Sequence, residues 1–258
     1  MKWDCNRYIT QPGSGYLQPA EQSHLWIDYN WALYRLMERF SKEFPNVMAM
    51  LCAGGSGRVD YGALPYFHSF WPSDNTDPLG RIKIQWGFSH FFPASTISAH
   101  VTRMGKRHLK LAIDVALSGA FGIDLALDKA TAEERVQIAD AVKLYKASIR
   151  PLVMQGELYR LVSPYEHPMA SLSYVSTDKN DAVVYLYQIQ DGSVPQVILG
   201  GLDARKNHRV EEVGLPKGST SRFPGHGKIF SGAELMSTGI ANPLNAQFES
   251  AILLLKTQ

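Results

Sequence analysis

The chain changes rhythm near residue 152. Before that point short apolar runs alternate with segments of helical periodicity; after it the helical spacing stops and short β-like runs separated by turns take over. Strands joined through helices pair in parallel, so the first stretch calls for an α/β fold around a parallel sheet. Strands joined by tight turns pair antiparallel, so the second stretch, residues 153–258, reads as a β-sandwich. In the first stretch Leu25, Tyr29, Leu33, Leu36 and Phe40 recur at steps of three and four and predict one helical face. Asn46–Cys52 is a short apolar run entering Ala53-Gly54-Gly55-Ser56-Gly57, a buried strand followed by a glycine loop. Asp77-Pro78 is a helix start, with Leu79, Ile82 and Trp86 inward.

A strand around Phe91–Ser95, a helix with Leu109, Ala112, Ile113 and Ala116 on one side, and a strand-like run at Gly122–Leu127 follow. Thr131-Ala132-Glu133-Glu134 is a capping box opening a helix with Ile138, Val142, Tyr145 and Ile149 inward. In the second stretch the predicted strands are Ser171–Ser176, Ala182–Gln190, Gln196–Leu199 and His208–Val213. A closed eight-stranded βα barrel takes about 250 residues, so residues 1–152 hold enough chain for about half of one or for a small open sheet.

A net charge of +2 with no long run of one sign suggests neither a nucleic-acid nor a membrane-surface partner. No apolar run approaches the length of a membrane helix. The 11% aromatic content, much of it beside Asp, Asn or Gly, suits a polyhydroxylated ligand as well as an ordinary core. Two cysteines cannot build a disulfide framework, and the default reading is a reducing, cytoplasmic setting. The first residues start inside a motif with no approach to it, which leaves a longer, secreted form open.

Asp4 and Asp74 both follow predicted strands, and in a βα fold the carboxyl ends of strands face the active site. A pair of carboxylates is what glycoside hydrolysis needs. Among 24 acidic residues, spacing alone does not single this pair out. Cys52–Gly57 lacks the Gly-Lys-Ser/Thr of a phosphate loop and reads as a tight turn lining a pocket. Cys52 has no His partner at a familiar spacing and reads as a buried thiol. The eight histidines form no metal-binding pattern; His100, after a predicted strand, and the strand-end acids Asp60 and Asp124 read as structural.

Several blocks in order resemble glycoside hydrolase family 36, the bacterial-type α-galactosidases. They are KWDCNR at Lys2–Arg7, CAGGSGRVDYGAL at Cys52–Leu64, FWPSDNTDPLGRIKIQWG at Phe70–Gly87 and FFPASTISAHVT at Phe91–Thr102, with GELYRLVSP at Gly156–Pro164 and GKIFSGAELMSTGI at Gly227–Ile240 downstream. The resemblance covers nearly the whole chain. It implies that Asp4 is the catalytic nucleophile and Asp74 the acid/base. It puts Lys2 in contact with the sugar, Trp3, Cys5 and Asn6 beside it, and Cys52, Gly54 and Gly55 near the sugar 2-hydroxyl. It implies retention at the anomeric carbon, an α-galactoside oligosaccharide substrate, no metal or organic cofactor, and a homo-oligomeric full-length enzyme. It implies a barrel whose fourth strand ends at Asp4, with strands 4–8 in residues 1–152 and a C-terminal antiparallel sandwich after them. The earlier strands, and the residues that bind the 4- and 6-hydroxyls, would then precede Met1. The commonest members read CSGGGGR where this chain has Ser56 in a Cys-Ala-Gly-Gly-Ser-Gly-Arg run. The alternatives are an α-N-acetylgalactosaminidase or a raffinose-synthase-like galactosyl transferase of the same family, or a non-catalytic fragment.

Overall fold

The structure, a computed structural model, describes residues 1–6, 10–192 and 194–258; Arg7, which closes the first motif block, lies outside them. The chain forms two compact units, residues 1–74 and 75–258.

The first unit holds β1 (Lys2–Asp4), α1 (Leu25–Glu43), β2 (Met50–Cys52) and β3 (Ser69–Phe70). The strands form one parallel sheet in the order β1-β2-β3, with Asp4 opposite Cys52 and Leu51 opposite Phe70. Helix α1 makes the crossover between β1 and β2, as parallel pairing requires. Its one fully buried residue is Met37, while Leu36, expected inward, is 51% exposed. Tyr29, Leu33, Met37 and Phe40 keep helical spacing with steps of four, four and three, so the inward stripe is rotated by one residue at that turn.

The second unit begins with α2 (Pro78–Phe88), β4 (Ser98–Val101), α3 (Leu109–Ala116), β5 (Ala120–Ile123) and α4 (Ala132–Leu144), which passes through a π turn at Tyr145–Ile149 into α5 (Arg150–Gln155). β4 and β5 pair in parallel from Ser98↔Ala120 to Val101↔Ile123. Both strands lie away from their expected positions. Phe91–Ser95 is not a strand, because the Phe92 amide still donates to the Phe88 carbonyl at the end of α2 and a short 3-10 turn occupies Ala94–Thr96. Gly122–Leu127 contains only the end of β5, and Leu127–Lys129 is another 3-10 turn. Pro78 opens α2 as expected, but Asp77 makes no side-chain cap; its carboxylate pairs with Arg107 at 3.3 Å. The capping box of α4 is complete, with Glu134 N–H donating to Thr131 Oγ1 at 3.2 Å and Thr131 N–H donating to Glu134 Oε2 at 3.0 Å.

The rest of the unit comprises β6 (Glu157–Val162), β7 (Met169–Val175), β8 (Asp181–Gln188), β9 (Gln196–Val197), β10 (Asn207–Val213), β11 (Ile229–Ser231), α6 (Gly232–Ser237), β12 (Ile240–Ala241) and β13 (Ser250–Thr257). Six strands form an antiparallel sheet in the order β11-β10-β13-β8-β7-β6, and β9 pairs with β12 separately. One face, with Tyr174, Tyr185, Tyr187 and Ile252, joins Leu111, Ile113 and Ile149 of the helical layer in one core. The other, with Val184, Leu186, Leu253 and Leu255, packs with Leu199, Phe223, Leu235 and Ile240. The hydroxyls of Tyr174, Tyr185 and Tyr187 donate to the carbonyls of Ser118, Leu117 and Asp114 at 2.7, 2.8 and 3.1 Å. Asp114 lies in the last turn of α3, and Leu117 and Ser118 follow that helix directly, where backbone acceptors have no intrahelical donor. Among the described residues no helix is long and apolar enough to cross a membrane.

Candidate active site

The site is assembled at the carboxyl ends of the three parallel strands of the first unit. Asp4 ends β1, and Cys52 ends β2 directly opposite it. The chain leaving β3 is held by the Trp71 amide, which donates to the Leu51 carbonyl at 2.8 Å, and Asp74 follows three residues later. Side chains alternate along a strand, so Lys2 and Asp4 share one face of β1 and Trp3 takes the other. Lys2 Nζ lies 3.1 Å from Asp4 Oδ2 and 5.6 Å from the centroid of the Trp71 ring. Trp71 Nε1 in turn donates to Asp74 Oδ1 at 3.0 Å. One indole therefore touches the partner of the first carboxylate with its face and the second carboxylate with its edge.

The glycine loop closes another side. Gly54 and Gly55 take φ of 58° and 85°, in the left-handed region that favours glycine. A Cβ on Gly55 would stand 2.9 Å from Ser73 Cα, so the loop packs directly on the segment that carries Asp74. The Gly54 amide donates to Asn6 Oδ1 at 2.7 Å, and Arg58 Nη1 donates to the Cys5 carbonyl at 2.5 Å. Two contacts thus tie the residues after Asp4 to the loop after β2.

The electrostatics follow from these distances. The hydrogen bond from Lys2, aided by its charge and by the Cys5 amide, holds the Asp4 carboxyl below the ordinary carboxylate range against a smaller effect of partial burial. Partial burial pulls the Lys2 ammonium down, but its hydrogen bond to Asp4 and the neighbouring Cys52 leave it raised on balance. Burial pushes the Cys52 thiol up. These shifts favour the ionised form of Asp4, with a cation beside it, and the neutral thiol of Cys52, which stands opposite Asp4 on β2.

Of the residues singled out from the sequence, the structure brings Lys2, Asp4, Cys52, Gly54, Gly55 and Asn6 into this cluster, with Asp74 joined through Trp71. It does not bring in Trp3, whose ring stands edge-on to Phe40 and Phe67 at 5.4 and 5.9 Å between centroids. Cys5 is exposed and takes part through its backbone. Asp60 accepts from the Ala63 amide at 2.8 Å and from Tyr34 Oη at 2.7 Å. That second bond, more than burial, pushes the Tyr34 phenol up to about 12. His100 lies within β4, opposite Gly122, rather than after a strand. Among the described residues no group of three or more His, Cys, Asp and Glu is placed to hold a metal ion. Trp71 and Arg58 stand inside the motif blocks, but the sequence alone assigns neither a role. The available signal was position: each lies within a few residues of a glycine or Asp turn that must be held still.

Residues 1–156 match the melibiase family, and residues 169–255 match the glycosyl hydrolase family 36 C-terminal domain. The chain belongs to glycoside hydrolase family 36. Alpha-galactosidase AgaA of Geobacillus stearothermophilus is a family member 36% identical over 252 residues, 94% of this chain and 32% of that protein. Alpha-galactosidase 2 of Hypocrea jecorina is 30% identical over 271 residues, covering 100% of this chain and 33% of its own. The crystal structure of the family 36 alpha-galactosidase AgaB from Geobacillus stearothermophilus superposes with a TM-score of 0.88 at 35% identity, over 100% of this chain and 35% of that one. The chain therefore spans about a third of the length of the family members it matches. Their fold agrees with the mixed α/β architecture and antiparallel sheet described above.

Proposed function

We propose that this chain supplies the two catalytic carboxylates of a retaining α-galactosidase acting on α-galactoside oligosaccharides. In this reading β1–β5 are strands 4–8 of a (β/α)₈ barrel, residues 1–152, and residues 153–258 are a C-terminal antiparallel sandwich. The observation that carries the reading is the relay Asp4–Lys2–Trp71–Asp74. It joins a carboxylate at the end of β1 to one on the segment that follows β3, two strands along the same parallel sheet, and surrounds them with different partners. AgaA has been crystallised with raffinose and with stachyose, both α-galactosides. The aspartates exchanged in those two complexes have the same sequence separation as Asp4 and Asp74. Both cysteines are free thiols, in keeping with a reducing, cytoplasmic setting.

The chemistry follows from the roles. Asp4, ionised beside Lys2, attacks the anomeric carbon, and the bond to the leaving oxygen breaks as that oxygen takes the proton of Asp74. Water then attacks the galactosyl ester, giving its proton to Asp74 and releasing Asp4. The indole N–H of Trp71 occupies Oδ1 of Asp74, which leaves Oδ2 to carry the proton.

In the complete polypeptide that carries this sequence, Asp4→Ala should abolish turnover of nitrophenyl α-galactoside, and azide should restore part of it as β-galactosyl azide. Asp74→Ala should retain activity best on leaving groups that need no proton. Unchanged turnover in Asp4→Ala, or an azide product of α configuration, would overturn the roles.

A further inference from the structure

We propose that Arg58 is a positioning residue for Asp4, a role that rests on the galactosidase reading above. Asp4 is the last residue of a strand only three residues long. In the described sheet β1 pairs with β2 along one edge. So short a ladder fixes the backbone of Lys2 and Trp3 better than it fixes the exit of the chain after Asp4. That exit is held from the loop after β2. Arg58 Nη1 donates to the Cys5 carbonyl at 2.5 Å, and Cys5 is the residue bonded directly to Asp4 along the chain. The guanidinium thus grips the carbonyl of the residue that follows the nucleophile.

Arg58 sits inside a turn at the end of the glycine loop. The Val59 amide donates to the Ser56 carbonyl at 3.1 Å, which turns the chain at that point. The loop's other tie is Gly54 N–H to Asn6 Oδ1. The two ties join the loop after Cys52 to the segment after Asp4 at two points. With Arg58 gone, Asp4 keeps Lys2 but loses the fixed backbone that aims it. A displacement of about 1 Å at a reacting group can cost about 100-fold in rate.

The test uses the complete polypeptide and two readouts. Cys5 is exposed and sits at the gripped peptide, so its alkylation by iodoacetamide reports how firmly that peptide is held. Arg58→Ala should raise the Cys5 alkylation rate several-fold, and Arg58→Lys should restore part of the protection. On nitrophenyl α-galactoside, Arg58→Ala should lower kcat about 10–100-fold with KM little changed, and added guanidinium ions should recover part of kcat. A general structural role would raise KM and lower thermal stability together and would not respond to guanidinium. Where Arg58→Ala does not fold, Arg58→Gln, which keeps an N–H donor without the charge, carries the same comparison. Unchanged Cys5 alkylation, or an unchanged kcat beside faster alkylation, overturns the inference. Faster alkylation in a polypeptide whose wild type is inert on α-galactosides supports the grip on the peptide and refutes the galactosidase reading instead.

Discussion

Lys2 and Asp4 are two residues apart on one strand, and that spacing alone puts ammonium and carboxylate on one face. Their 3.1 Å separation lowers the pKa of Asp4, mainly through the Lys2 hydrogen bond, so the carboxylate persists into more acid solution than an ordinary Asp, whose pKa is about 3.9. The sign of the pH effect follows. The ionised Asp4 carboxylate is fully present above the ordinary value and is lost as pH falls through the lowered one. Lys2→Met removes the cation, so the acid limb of kcat/KM should move to higher pH, which a pH–rate profile of the complete polypeptide measures. An acid limb that stays in place would mean that another group controls it. Both side chains are substantially exposed, at 43% and 35%, so the pair tunes the site and adds little to stability.

The glycine loop is the element on which the site turns. Gly55 needs φ of 85° and has Ser73 Cα where a Cβ would go. Gly55→Ala should therefore push the segment after β3 and shift Asp74 relative to Asp4. The expected loss in kcat is about 10–100-fold, with a stability cost above about 1 kcal/mol from the left-handed backbone. Kinetics on substrates of differing leaving-group ability would locate the damage, since the loss should be greatest where the leaving oxygen most needs its proton. Equal loss on all substrates would place the effect at Asp4 instead. This loop was legible as a tight turn lining a pocket, because glycine clusters after an apolar run have few other uses. Its partner segment was not legible, because nothing in the run Ser73-Asp74 states that a loop some twenty residues earlier will pack on it.

At the scale of the whole chain, the second unit is held by the contact between the antiparallel sheet and the helical layer. Tyr174, Tyr185 and Tyr187 are almost wholly buried, and burial drives their phenols well upward, so they remain neutral donors. Tyr185→Phe keeps the ring and leaves the Leu117 carbonyl without its donor. It should lower stability by about 1–2 kcal/mol, read as a lower urea midpoint with unchanged slope. An unchanged midpoint would mean that water replaces the hydroxyl. The same sheet shows why strand prediction was incomplete. β13 lies between β10 and β8, and six of its eight residues are buried on alternating faces, so Ser250–Thr257 has no polar alternation to read.

Local and periodic features follow from the residues alone: parallel pairing followed by antiparallel pairing, the capping box at Thr131, the glycine loop, the shared face of Lys2 and Asp4, and the family through its motif blocks. Each depends on residues close together in the chain or on whole blocks matched in order. Long-range packing selected which apolar run became β4 and which residue of α1 turned inward, set Trp3 against Phe40 and Phe67, and made Trp71 and Arg58 connect the site's loops. These outcomes depend on contacts between segments far apart in sequence, where packing and hydrogen-bond geometry choose among candidates that local propensity leaves equal.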